Sequence, residues 1–71
     1  MNAEDLVRMA NQIADYYQAY PEAEALDGIA AHIRNFWDPR MRESLAAHVS
    51  AGGAGLKPLV LAALKDAREP A

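Results

Sequence analysis

Asp38-Pro39 separates two apolar periodicities that would otherwise run into each other. Upstream, Leu26, Ile29, Ala30, Ile33 and Trp37 recur at helical spacing; downstream, Met41, Leu45 and His48 share one side of a second helix. Proline has no amide for a helix interior but suits a first helical turn, and Asp is a favoured N-cap. The pair therefore stops one helix and starts the next, with a bend in place of a loop. Arg34 and Asp38 stand four residues apart across this junction, although the bend works against their pairing.

The other helices are marked in the same way. Asn2 with Asp5 has the spacing of a capping box and opens a helix expected to run to about Tyr20, with Leu6, Met9, Ala10, Ile13, Tyr17 and Tyr20 as its apolar stripe. Glu4 and Arg8 form a favourable i,i+4 pair on another side. Pro21 ends that helix and begins the next, with Glu22 and Glu24 near its amide end. Gly28 lies inside this second helix at a cost of about 1 kcal/mol against Ala, by chance or because another helix approaches closely. The Gly-rich connection at 50–55 ends the third helix and turns the chain; the last helix starts between Leu56 and Pro58. Leu56, Leu59, Val60, Ala63 and Leu64 form its apolar side, Leu61 points away, and residues 69–71 are expected to fray. The expected fold is all-α, a small compact bundle of about four short helices forming one domain over residues 1–71.

Such a chain buries a limited core, and without cysteine it has no disulfide or thiolate metal site to supplement it. A net charge of -3, from ten acids against seven bases, argues against nucleic acid. A helical DNA reader using Arg40 and Arg42 at the start of the third helix is a weak alternative. Residues 1–37 carry six acids and two bases, residues 38–71 four acids and five bases, so the junction sits where an acidic half meets a nearly neutral one. No apolar run is long enough to span a membrane, and the acidic start does not resemble a signal peptide, so a cytoplasmic location is expected.

Val7, Phe36, Met41 and Leu61 lie toward helix flanks, and with Tyr16 they suggest a second, protein-facing surface. Trp, Tyr, Met and Arg are enriched at interface anchors. Phe36, Trp37, Arg40, Met41 and Arg42 are therefore the candidate partner interface, with Asp38 and Pro39 as the helix junction. Trp37 continues the apolar stripe and suits the core, while Phe36 points about 100° away around the helix. Arg40 and Arg42 occupy a first helical turn, where positive charge is slightly disfavoured, which hints at an external carboxylate.

No chemistry is evident. His48 falls on an apolar side and His32 one turn before Phe36, both positions where packing is the ordinary role. Ser44 and Ser50 lack a glycine elbow. Gly52-Gly53-Ala54-Gly55 superficially resembles a phosphate cradle but follows no strand, and Lys57 does not complete the spacing. Neither catalytic, cofactor-binding nor metal-binding residues are expected.

The chain resembles the delta subunit of the cytoplasmic, NAD-dependent, molybdenum-containing formate dehydrogenase. The similarity runs through Leu6-Val7-Arg8-Met9-Ala10-Asn11-Gln12-Ile13-Ala14, Ala19-Tyr20-Pro21, Gly28 to Arg34 and the tail from Gly52 to Leu56 with Pro58-Leu59-Val60. Its most specific part is Phe36-Trp37-Asp38-Pro39-Arg40-Met41-Arg42. The resemblance implies a complex whose larger subunits carry molybdenum pyranopterin guanine dinucleotide, iron–sulfur clusters, FMN and the NAD site, and oxidise formate to carbon dioxide. It implies that this chain is a cofactor-free accessory subunit aiding assembly or stability, with the molybdenum catalytic subunit as expected partner. A dissociable assembly chaperone is the alternative.

Overall fold

Each helix begins where the sequence supplies a cap or a proline. The computed structural model describes residues 2–68 as α1 (Ala3–Tyr17), α2 (Glu22–Phe36), α3 (Pro39–Ser50) and α4 (Pro58–Arg68), with no strand among the described residues. The expected frayed end at 69–71 lies outside them. At the start of α1, the Asn2 side-chain oxygen accepts the Asp5 amide at 2.9 Å. Asp5 turns its own carboxylate to Arg8 at 3.3 Å, so the ion pair here is Asp5–Arg8 and not the expected Glu4–Arg8. Both side chains are well solvated, and such pairs contribute about 1 kcal/mol at most.

α1 stops at Tyr17, three residues short of the expected end. The Tyr20 amide donates to the Tyr17 carbonyl at 2.9 Å, tightening the chain into a turn, and Pro21 disfavours helical geometry at Tyr20. Tyr20 therefore leaves the apolar stripe and is 43% exposed. Its ring packs on Tyr16 and Tyr17 instead, with centroids at 6.0 and 5.1 Å.

The core seam of α1 is Leu6, Ala10 and Ala14, flanked by half-buried Met9, Ile13 and Tyr17. Small residues at the centre of this seam let neighbouring backbones approach. Ile29 and Ile33 of α2, Leu45 of α3 and Val60 and Ala63 of α4 complete the interior, closed by Trp37 and Leu56. The burial is wholly apolar among the described residues. The resulting radius of gyration is 11.0 Å, close to the ~11 Å expected for a folded chain of this length.

At the end of α3, the Gly53 amide donates to the His48 carbonyl at 2.9 Å and the Gly52 amide to the Val49 carbonyl at 3.0 Å. With φ of +123° and +66° at these two glycines, this is a Schellman-type stop, matching the chain-reversal role expected of the segment. Leu61 lies directly over Gly53: a β-carbon there would sit 2.8 Å from Leu61 Cδ2. Leu61 does lie off the α4 stripe, but the loop covers that side, which corrects its assignment to a second surface. Val7 and Met41 also pack half-buried against the core. Of the five side chains assigned to a second surface, Phe36 and Tyr16 remain strongly exposed, at 75% and 68%.

α2 packs most extensively on α4, and α3 is held chiefly by α1. The α3 side facing α2 and α4 is consequently less closed.

Candidate functional site

Two extended residues make the switch between α2 and α3. Trp37 (φ -92°, ψ 139°) caps α2, its amide donating to the Ile33 carbonyl at 3.0 Å. Asp38 (φ -76°, ψ 166°) caps α3, its Oδ1 accepting the Met41 amide at 2.9 Å. That commitment leaves Arg34 without the Asp38 partner considered from spacing alone. Pro39 follows as the first helical residue.

The extended backbone sends neighbouring side chains to opposite fates. Trp37 turns inward and is 5% exposed, while Phe36, one residue earlier, stands outside with its ring 4.9 Å from that of His32. The His32–Phe36 packing matches their one-turn spacing. Met41 is half-buried, and Arg40 and Arg42 are exposed. Neither arginine has a carboxylate partner among the described residues.

Arg40 and Arg42 do not share a face. Residues two positions apart on a helix differ by about 200° in direction, and the surroundings follow. Arg40 borders a hollow of about 200 Å³ with Leu6, Asp38, Met41 and Ser44, beside α1. Arg42 borders the open side, where Ala30 and Ile33 of α2, Leu45, Ala46 and Val49 of α3 and Leu64 of α4 enclose a groove of about 310 Å³. Arg34 stands on the same rim. A further hollow of about 250 Å³ is lined by Met9, Gln12, Ile13, His32 and Trp37. The junction is thus a projecting aromatic ring and a cation set among shallow depressions.

The histidines do ordinary structural work. His48 Nε2 lies 2.8 Å from the Ala54 carbonyl oxygen, so a proton on that nitrogen ties α3 to the Gly-rich turn. Asn11 is the structural residue that periodicity missed: its Nδ2 donates to the Gly55 carbonyl at 2.9 Å and its Oδ1 accepts the Lys57 amide at 3.0 Å. One turn further along α1, Asp15 pairs with the Lys57 ammonium. Asn11 lies about 100° around the helix from Ala10 and outside the apolar stripe, so periodicity carried no signal for it. Among the described residues no three His, Asp or Glu side chains gather as a metal site.

A family model matches residues 5–64, and its description is the NADH-dependent formate dehydrogenase delta subunit, FdsD. The chain belongs to this delta-subunit family. No curated protein and no solved structure matches it. The match takes in the switch and the surfaces around it. It also agrees with a small helical bundle whose role is accessory and non-catalytic. Among the described residues, no helix is long and apolar enough to cross a membrane.

Proposed function

We propose that this chain is a resident accessory subunit of an NAD-dependent formate dehydrogenase, bound to the larger subunits and supporting their assembly or stability. The exposed Phe36 ring carries the reading. A large aromatic side chain at 75% exposure lies beside a fixed helix switch and a cation with no carboxylate partner among the described residues, a composition suited to an interface anchor. Phe36 and Arg40 form the projecting part of the contact, while Trp37, Asp38, Pro39 and Met41 hold its shape. Arg42 faces the neighbouring side. The expected partner is the molybdenum catalytic subunit.

The family implies molybdenum pyranopterin guanine dinucleotide, iron–sulfur clusters, FMN and NAD in the complex. The residues here do not fit an iron–sulfur cluster or a metal centre. The chain has no cysteine for a cluster, and its described residues hold no gathering of metal-binding side chains. The redox chemistry, oxidation of formate with reduction of NAD, therefore belongs to the partner subunits.

Native mass spectrometry of the tagged complex, with activity measured with and without this chain, tests the proposal. The expected result is a fixed number of copies in the active enzyme, with less assembled complex or a shorter thermal lifetime when the chain is omitted. Association only with immature catalytic subunit, lost from active enzyme, would instead identify a dissociable chaperone.

A further inference from the structure

The groove beside Arg42 has features that the Phe36 surface does not use. Its floor is apolar, built from Ile33, Leu45, Val49 and Leu64, and its rim carries a cation from each of two helices, Arg34 and Arg42. Neither has a carboxylate within ion-pair distance among the described residues. Arg34 lies in the last turn of α2, where the helix carbonyls favour it. Arg42 lies in the first turn of α3, where the helix amides oppose it. A cation in that position is suited to an anion supplied from outside. The basic rim is also a local exception on a chain of net charge -3.

We propose that this groove is a second docking site, taking a segment of a partner polypeptide that presents a large apolar side chain flanked by carboxylates. A free anion would leave the apolar floor unused, and a purely apolar segment would leave the guanidinium groups unpaired. At about 310 Å³, the groove sits at the small end of ligand-sized cavities (~300–1,000 Å³). Its open side leaves room for a backbone to pass. Guanidinium groups bind carboxylates through paired hydrogen bonds, which fix the segment's orientation as well as its charge. The inference rests on the chain being a docked subunit, but it uses a different face from Phe36 and Arg40.

Site-specific photocross-linking in the assembled formate dehydrogenase tests it. A benzophenone side chain placed at Ala46 is expected to cross-link to a larger subunit, within a peptide carrying a large apolar residue and acidic neighbours. A probe at exposed Glu43, which borders a hollow together with Arg42 and Ala46, should reach the same peptide and guards against a variant that fails to fold. Combining R34E and R42E should reduce that cross-link by about tenfold or more, because like charges then face each other. A third probe at exposed Asn35, next to Phe36, reports on the docked state without replacing that anchor. An Asn35 cross-link to a larger subunit, with Ala46 and Glu43 reaching none, overturns the groove proposal and leaves the subunit reading standing. The groove proposal falls equally if those two probes reach only a second copy, this chain's own residues 66–71 or a basic segment. Absence of cross-links from all three positions overturns both.

Discussion

The phenol ring of Tyr17 occupies the space that a β-carbon on Gly28 would need, with Cζ 2.5 Å and the hydroxyl oxygen 2.9 Å from that position. A helix-interior glycine is therefore explained by a close approach between α1 and α2. Tyr16 packs edge-on against the ring at 5.0 Å and Tyr20 lies 5.1 Å away, so moving it aside disturbs both contacts.

Gly28→Ala should accordingly destabilise the fold. Overpacking costs about 1–3 kcal/mol and the gain in helix propensity returns about 1 kcal/mol, for a net loss near 1 kcal/mol. In a Tyr17→Ala background the same substitution should become stabilising, by up to about 1 kcal/mol. Urea unfolding of the four chains gives the cycle, and an unchanged sign would show that the ring does not set the preference for glycine.

Asn11→Ala should destabilise by about 1–3 kcal/mol, since two hydrogen bonds to the Gly-rich turn are lost together. Asp15→Ala removes only the solvated pair with Lys57 and should cost about 1 kcal/mol or less. Hydrogen exchange should show the amide of Lys57 losing protection in the Asn11 variant and largely keeping it in the Asp15 variant.

The two adjacent aromatics should part company in unfolding experiments. Trp37→Ala empties a core position and should cost about 3–5 kcal/mol. Phe36→Ser, on a strongly exposed side chain, should stay within about 0.5 kcal/mol of the parent. Asp38→Ala falls between them at about 1 kcal/mol, through loss of the α3 cap. Comparable losses at 36 and 37 would contradict the inward and outward placement of these rings.

Much of the fold is legible in the sequence because caps and breakers act locally. Asn2, Pro21, Asp38-Pro39 and the Gly52–Gly53 stop each act within a few residues, and the helix boundaries follow them closely. Tyr20 departs from its expected place because a turn after Tyr17 overrides a periodicity that continues on paper. Leu61 and Val7 depart for a different reason. Helical periodicity reports only helix against helix, whereas a loop covers Leu61 and Gly55 lies beside Val7. At the candidate site, the composition of the switch is readable, and so is the inward course of Trp37. The divergence of Arg40 and Arg42 follows from their two-residue spacing, but what each one meets does not, because that depends on where α1, α2 and α4 lie around α3. The groove by Arg42 is tertiary in origin, arising where α3 leans on α1 and away from its other neighbours.

Whether the chain docks through its helix switch is decided by the retention of Phe36→Ser in the formate dehydrogenase complex, measured by native mass spectrometry beside the variant's own unfolding midpoint. A docked subunit anchored by Phe36 should show an unchanged midpoint together with marked loss of the chain from the complex, deepened by adding Arg40→Glu. Full retention of the folded double variant, at the parent's stoichiometry, would contradict that anchoring role.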